Sequence, residues 1–282
     1  MSLRFHVPST PNATVPKTFI NGLTKVKELG LDGIEVPFGR GIFMKKQEQI
    51  DEATKVAKEL QLSLTIHAPY YINLNAKEQE KIDASIERIM QSARIGNQIG
   101  ASSVCFHAGY TLGNDPKDVI INMRKSLDVL SSMLKDEGIT LDIRPETAGK
   151  LTQMGNLEET LALCHGYEQI KPCIDFAHLM ATSNGKINDY NSFCTILETI
   201  KSERGESALK DMHIHAGSVA FGEKGEIKAL NLDDPKSIFN YEELLRALLD
   251  YDVEGWIVAE TPNVEEGALL LKHTYENYKK DS

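Results

Sequence analysis

The sequence predicts a single-domain (β/α)8 barrel, the TIM barrel, over residues 1–282. Eight short apolar segments alternate with longer stretches in which apolar residues recur at helical spacing. Strict alternation of this kind implies parallel strands joined by right-handed crossovers, and eight such units match the length of a closed barrel. No tract rich in Pro, Gly or Ser divides the chain. We therefore expect one α/β domain.

The eight predicted strands are separated by segments with helical patterning, such as 50–61 and 82–100. Two Asp-Pro pairs, at 115–116 and 234–235, predict helix starts, because Asp caps a helix and Pro fits its first turn. The strands, in chain order, are LRFHV (3–7), GIEVPF (33–38), LSLTIHA (62–68), SSVCFHA (102–108), ITLDIRPE (139–146), KPCIDFA (171–177), KDMHIHA (210–216) and GWIVAE (255–260).

Charge and composition limit the environment and the partners. With 31 Lys and Arg against 41 Asp and Glu, the formal net charge is −10, which disfavours a broad phosphate-binding surface without excluding nucleic acid. No run reaches the roughly 18–20 apolar residues of a membrane helix, and the first residues lack the pattern of a signal peptide. The four cysteines form no CxxC pair. We expect a cytoplasmic monomer with reduced thiols and no membrane partner.

Histidines and carboxylates end six successive predicted strands. The carboxyl ends of barrel strands form the active face, so these side chains should converge. A lone histidine on a strand is usually a core or rim residue, but buried carboxylates are costly to gather without cations. Imidazole and carboxylate together suit Zn²⁺, and Mn²⁺ or Fe²⁺ would also fit. The six residues are His67, His107, Glu146, Asp175, His213 and Glu260.

Six motifs occur in one order along nearly the whole chain. The most specific is HAPYYINL (67–74), and it is followed by FHAG (106–109), ETAG (146–149), CIDFAH (173–178), MHIHAG (212–217) and AETP (259–262). In these motifs the chain resembles the endonuclease IV family of apurinic/apyrimidinic (AP) endonucleases, AP endonuclease family 2, within the xylose-isomerase-like TIM barrels. The resemblance implies a zinc-dependent DNA-repair hydrolase that cuts duplex DNA on the 5′ side of an abasic site.

The resemblance also implies the layout of the metal centre, in which Glu146 bridges two zinc ions. Glu146, Glu260 and His178 would serve catalysis, Glu260 by orienting the attacking hydroxide and His178 by contacting the phosphate. The implied ligands are His67 and His107 for one ion, and Asp175, His213 and Glu260 for the other.

Contacts to DNA are implied for three residues. Tyr70 and Tyr71 match the place where the family inserts a tyrosine and an aliphatic side chain into the minor groove at the lesion, and Arg40 matches an intercalating arginine. A flipped abasic nucleotide costs little unstacking, because it has no base, and inserted tyrosines could fill the gap. Tyrosines at a barrel rim equally suit a loop lid or rim packing.

This chain departs from the family where a third zinc would bind. The family holds that ion with the histidine that matches His178 and with an Asp-x-His after the seventh strand, whereas the corresponding stretch, GEIKALNL (225–232), contains no Asp-x-His. Whether a third zinc ion binds is left open by the sequence. His215 could join His178 as a replacement ligand, with Glu223 or Glu226 reaching in from the loop.

Two other functions fit parts of the pattern. Xylose-isomerase-like sugar isomerases and epimerases place one Mn²⁺ or Co²⁺ among Glu, Asp, His and Glu, and Glu146, Asp175, His213 and Glu260 satisfy that order. Their two glutamates move a proton at a carbon next to a carbonyl, which requires neither His67 nor His107. The other alternative is a non-catalytic metal-binding protein that senses damaged DNA.

Overall fold

The computed structural model describes residues 2–281, in which strands and helices alternate along most of the chain. A short 3₁₀ helix, Glu206–Lys210, precedes the seventh strand. The strands are β1 (Leu3–Val7), β2 (Gly33–Pro37), β3 (Ser63–His67), β4 (Ser103–Phe106), β5 (Asp142–Pro145), β6 (Cys173–Asp175), β7 (Met212–Gly222), β8 (Gly225–Leu230) and β9 (Gly255–Glu260). The helices are α1 (Phe19–Glu28), α2 (Gln47–Leu60), α3 (Gln79–Ile99), α4 (Pro116–Asp136), α5 (Leu157–Cys164), α6 (Phe176–Thr182), α7 (Tyr190–Arg204), α8 (Tyr241–Asp250) and α9 (Glu265–Asp281).

Eight of the strands form one parallel sheet in the order β5-β4-β3-β2-β1-β9-β7-β6. A parallel bridge between Glu146, which follows β5, and Cys173, which begins β6, joins the two ends of this order and nearly closes the sheet. The strands read as continuous apolar runs because parallel strands are covered on both faces. The predicted (β/α)8 barrel fold is confirmed.

The described residues fall into two compact units. The first contains the chain up to Ile34, the short segment Gly149–Leu151 and the chain from Ile174 onward, and the second contains Glu35–Ala148 and Thr152–Cys173. Each unit buries its own apolar residues, which include Phe193, Leu197, Leu244 and Leu248 in the first and Phe106, Leu127, Met90 and Leu130 in the second. The assignment of residues 1–282 to one domain stays a prediction.

The seventh strand continues beyond the predicted end at residue 216. β7 runs to Gly222 and pairs antiparallel with β8, with a bulge between Ala220 and Phe221. Lys150 forms an antiparallel bridge to Gly225 on the far side of this hairpin. The prediction ended the strand too early, at Ala216, and did not include β8, although the alternating residues on both sides of the turn are typical of a β-hairpin.

The two Asp-Pro pairs have different structures. Asp115 caps α4, its side chain accepting the Lys117 N–H, as predicted. At residues 234–235 the prediction of a helix start is wrong. The Asp234 side chain accepts the Lys236 N–H at 2.8 Å within a turn, and α8 begins only after Asn240, whose side chain is its cap. A turn offers Asp the same kind of local backbone donor as a helix start, so the pair alone does not distinguish them.

The four cysteines form no disulfide within residues 2–281, as expected, and three of them, Cys105, Cys164 and Cys173, are buried. In the same part of the chain, no helix is both long enough and apolar enough to cross a bilayer.

Candidate metal centre

Three predicted ligands in the second unit meet at one carboxylate oxygen, and we call them the Glu146 cluster: His67, His107 and Glu146. His67 ends β3, His107 follows β4, and Glu146 follows β5. The Nε2 atoms of His67 and His107 lie 3.4 and 3.6 Å from the same atom, Oε2 of Glu146. The two imidazole rings are 5.8 Å apart. Neighbouring parallel strands that end at one edge of the barrel thus bring together residues that are far apart in sequence.

The orientation of the His67 ring is set by its backbone. Its Nδ1 lies 2.8 Å from the carbonyl oxygen of Ala68, which can only accept a hydrogen bond. Nδ1 therefore carries the proton in the neutral ring, and Nε2 presents its lone pair toward Glu146. Metal-binding histidines are commonly oriented in this way by a hydrogen bond from the other ring nitrogen.

The distances to Glu146 fit ligands of a shared ion better than direct hydrogen bonds. An N–H···O bond is usually about 2.7–3.2 Å long. Two ligand atoms bound to one zinc ion at about 2.0–2.2 Å and at the tetrahedral angle lie about 3.4 Å apart. The separations of 3.4 and 3.6 Å at Glu146 match that spacing.

Cys105 is a neighbour that the sequence did not indicate as a site residue. One ligand atom each from His67, Cys105 and Glu146 lie within 4.8 Å of one another. The spacing in the sequence could have indicated Cys105, because it precedes His107 by two residues and side chains two residues apart on a strand share a face. The Cys105 thiol is directed at Oε2 of Glu35, 3.5 Å away, so it is a hydrogen-bond donor in this arrangement.

A second group, the Glu260 cluster, lies in the first unit and contains Asp175, His215 and Glu260. One ligand atom from each lies within 4.8 Å of the others. His215 Nδ1 is 3.4 Å from Oε1 of Glu260, again the spacing of two ligands on one ion. Asp175 ends β6, and Glu260 ends β9.

The neighbouring histidine on β7 lies deeper in the strand. The resemblance gave His213 the place beside Asp175 and Glu260, whereas the group of atoms just described contains His215. In the pairing of β7 with β9, His213 is opposite Trp256, and His215 is opposite Val258, closer to Glu260. The rings of the two histidines are 5.2 Å apart, so His213 packs against the ring that faces the carboxylates.

His178 lies between two carboxylates of the first unit. β6 ends at Asp175 and α6 begins at the next residue, so the predicted strand 171–177 was too long at that end; Asp175 caps the helix by accepting the His178 N–H at 2.8 Å. His178 Nδ1 lies 3.4 Å from Asp175 Oδ2, and Nε2 lies 3.4 Å from Oε2 of Glu226 on β8. Of the two glutamates considered for the loop, Glu223 is exposed at the hairpin turn, and Glu226 is the one that reaches His178.

The three residues implied for DNA contact lie on exposed loops of the second unit. Arg40 is exposed, and Tyr70 and Tyr71 are 61% and 74% exposed. The Tyr70 ring packs edge-on against the His67 ring, 5.3 Å away, and Arg88 Nη1 donates to the Tyr71 carbonyl oxygen at 2.9 Å. Both tyrosine rings therefore extend from fixed backbone.

Burial and charge make both clusters suitable for divalent cations. Glu146 and Asp175 are 1% and 2% exposed, and buried carboxylates are stable as anions only beside cations or donors. The donors are imidazole nitrogens and carboxylate oxygens, a set that suits Zn²⁺ and also Mn²⁺ or Fe²⁺. The residues present therefore fit metal ions, and the clusters are candidate ligand sets.

Comparisons with known proteins agree with this fold. Residues 23–280 match the family model described as xylose isomerase-like TIM barrel. The chain is 40% identical over 252 residues to the uncharacterized protein MJ0133 of Methanocaldococcus jannaschii, covering 89% of each chain. It is 26% identical over 223 residues to a probable endonuclease 4 of Mycoplasma pneumoniae, covering 76% of this chain and 74% of that one.

A solved structure described as a D-tagatose 3-epimerase-like protein superposes with a TM-score of 0.74 at 16% identity, covering 99% of this chain and 97% of the other. At that identity the likeness shows the fold alone. The family match covers most of the chain and agrees with the parallel strand order and with the polar residues at the strand ends. The chain therefore belongs to the xylose isomerase-like TIM barrel family.

Proposed function

We propose that this protein is a metal-dependent AP endonuclease that hydrolyses the phosphodiester on the 5′ side of an abasic site in duplex DNA. The observation that carries the proposal is the Glu146 cluster, in which two imidazoles face one carboxylate oxygen at 3.4 and 3.6 Å. A sugar enzyme with one metal and two glutamates needs neither histidine. Further support comes from the relative named as a probable endonuclease 4.

Each cluster would hold divalent cations in this proposal, because the carboxyl ends of barrel strands form the active face of such folds. Divalent ions held there would supply positive charge at the phosphoryl oxygens and a nucleophile at neutral pH. Glu146 would hold metal with His67 and His107, and Glu260 would orient the attacking water and accept its proton. The ligands proposed in the second unit are His67, His107 and Glu146, and those proposed in the first unit are Asp175, Glu260 and His213 or His215.

His215 is the better candidate for the ligand from β7. It contributes the ring nitrogen that lies 3.4 Å from Glu260, and His213 packs behind it. His178 would contact the phosphate from its place between Asp175 and Glu226. The proposed metals are two zinc ions with room for a third, and Mn²⁺ or Fe²⁺ would be functional substitutes.

DNA would be held through few contacts. Tyr70 and Tyr71 would fill the space that the missing base leaves, and Arg40 would approach the groove beside them. With a net charge of −10, the protein offers no general attraction for the phosphate backbone, so binding should rest on a few salt-sensitive contacts and depend on the lesion. The proposed substrate agrees with the cytoplasmic, monomeric state expected from the sequence.

The rival function is a sugar isomerase or epimerase with a single divalent metal. It is favoured by the close grouping of Asp175, His215 and Glu260 and by the shared fold of the D-tagatose 3-epimerase-like protein. In this alternative, Glu146 and Glu260 would remove and return a proton at the carbon beside a keto group.

The deciding experiment is a gel assay on a duplex oligonucleotide that carries one synthetic abasic site. The purified protein is stripped with EDTA, reloaded with Zn²⁺ or Mn²⁺, and compared with the same duplex without the lesion. A metal-dependent nick on the 5′ side of the lesion is expected. No nick with any metal, together with turnover of a keto-sugar, would replace the proposal by the rival, and tight lesion binding without turnover would indicate the damage sensor.

A further inference from the structure

The β7–β8 hairpin holds the carboxylate of Glu226 in a position fixed by backbone pairing. Glu226 is the second residue of β8, and its N–H donates to the carbonyl oxygen of Gly149 at 2.7 Å. Lys150 bridges to Gly225 beside it, so the start of β8 is held between β7 and segment 149–151. The residues that follow, Ile227 and Lys228, are exposed. β8 is thus held by backbone pairing with β7 up to Leu230, while the side chains just after Glu226 face solvent.

We propose that Glu226 is a metal ligand that this chain supplies from the hairpin, opposite His178, and that the ion held between them also fastens the hairpin. The inference rests on the metal centre of the proposed function but not on its substrate. It gives this chain a single carboxylate ligand within residues 225–232, the stretch that lacks the Asp-x-His.

The geometry of the pair supports an ion between the two side chains. His178 Nε2 and Glu226 Oε2 are 3.4 Å apart, which is about the spacing of two zinc ligands at the tetrahedral angle and longer than a usual hydrogen bond. Asp175 Oδ2 lies 3.4 Å from the other nitrogen, Nδ1. A neutral imidazole has one N–H, so in that state one of the two carboxylates faces a nitrogen lone pair, and a bound cation would suit that side.

The backbone around the pair leaves room for this approach. A Cβ atom on Gly149 would lie 2.6 Å from His178 Cδ2 and 2.8 Å from Glu226 Oε2, closer than real Cβ atoms come. Glycine at 149 thus leaves the ring and the carboxylate room to meet. His178 is 6% exposed, so an ion here would be shielded on the ring side, while the Glu226 side chain is 24% exposed and gives access from solvent.

An ion with one ligand on α6 and one on β8 would cross-link two elements. Lys224 lies in the hairpin turn and is exposed, so trypsin cleavage after it reports on how firmly the hairpin is held. Cleavage at Lys224 should therefore be slow when metal is bound and fast after metal is removed. The protection should be lost when Glu226 cannot bind the ion.

The test compares Glu226→Gln with Glu223→Gln, which removes a carboxylate from the same hairpin at an exposed position. Each EDTA-stripped protein is titrated with Zn²⁺ alone; bound metal is measured by mass spectrometry of the metal, and trypsin cleavage at Lys224 is followed with and without zinc. We expect Glu226→Gln to bind one zinc ion fewer than wild type, or to bind it at least about tenfold more weakly, since loss of even an outer contact often costs this much. Glu223→Gln should match wild type.

Equal zinc binding and equal protection in Glu226→Gln and wild type would overturn the inference, because His178 and Glu226 would then be a simple ion pair. Circular dichroism checks folding, and His178→Gln is a second variant that should lose the same ion. The readouts separate this inference from the proposed function. Loss of one zinc ion in a protein that cuts no abasic DNA would refute the nuclease and leave the ligand assignment intact.

Discussion

Gly217 on β7 allows Glu260 to reach its place in the candidate metal centre. The two residues are opposite each other in the pairing of β7 with β9. A Cβ atom at 217 would lie 2.3 Å from the Glu260 carbonyl oxygen, whereas real Cβ atoms essentially never come closer than 3.0 Å. In Gly217→Ala the Glu260 backbone would therefore have to move by about 0.7 Å, the difference between these distances.

A shift of this size has two measurable effects. Crowding of a packed interior costs about 1–3 kcal/mol, and each kcal/mol lowers the melting temperature of a protein of this size by roughly 2–4 °C. The displacement also exceeds the tolerance of about 0.5 Å within which active-site groups must be held. Because a misplacement near 1 Å can cost about 100-fold in rate, abasic-site cleavage should fall at least about tenfold.

The assay compares Gly217→Ala with Gly222→Ala, a change on the same strand. At 222 an added Cβ would meet only Ile227 Cδ1, at an ordinary 3.5 Å. Melting temperature, bound zinc and cleavage rate are measured for both variants. Gly222→Ala should match wild type in all three. If Gly217→Ala melts as high as Gly222→Ala and holds zinc as tightly, the close approach does not constrain Glu260 and the reasoning fails.

Three further predictions concern separate parts of the chain. His107→Ala should bind less zinc than wild type, because it removes one of the two imidazoles that face Glu146. The control, His273→Ala, changes an exposed histidine on α9 and should keep full metal content. Equal zinc in both variants would remove His107 from the ligand set. Glu260→Gln should abolish turnover while the melting temperature is unchanged or higher, since it removes one of several clustered negative charges; an active variant would refute the role given to Glu260. Burial and the hydrogen bond to Asp128 raise the pKa of Tyr167 from 10.0 to about 12, so the neutral phenol stabilises the fold below pH 10, and this stabilisation is lost as the pH rises through 12. In urea unfolding across that range, the free energy of unfolding of wild type should approach that of Tyr167→Phe as the pH rises. A constant difference between the two proteins would contradict the assignment.

Much of the fold could be predicted because its information is local. The bounds of β1 and β9 match the apolar segments 3–7 and 255–260, since a buried parallel strand is recognised by its apolar residues, which set it apart from the flanking segments of the chain. The polar residues at strand ends were visible for the same reason. His67, His107 and Glu146 each follow an apolar run, and the barrel topology brings such ends together.

The remaining features depend on pairing between distant segments. His213 and His215 share one face of β7, so sequence alone does not say which is nearer to Glu260; the register with β9 decides it. Glu226 was one of two candidates in the loop, and only its pairing with segment 149–151 turns its side chain toward His178. Cys105 was overlooked because a cysteine on an apolar strand is usually a small core residue.

The hydrogen bond from Cys105 to Glu35 bears on which ions the Glu146 cluster can accept. A thiolate is a soft ligand that prefers ions such as Cu⁺, Cd²⁺ and Hg²⁺, so a thiolate at Cys105, beside His67, would favour binding of these ions. The carboxylate of Glu35 is 1% exposed and accepts hydrogen bonds at the same oxygen from the Thr65 hydroxyl, at 3.1 Å, and from the Cys105 thiol. Glu35 on β2 and Cys105 on β4 thus meet across β3, and the thiol is engaged as a donor inside the barrel. The atoms left to face an ion in the Glu146 cluster are imidazole nitrogens and carboxylate oxygens, a set that suits harder ions such as Zn²⁺ and Mn²⁺.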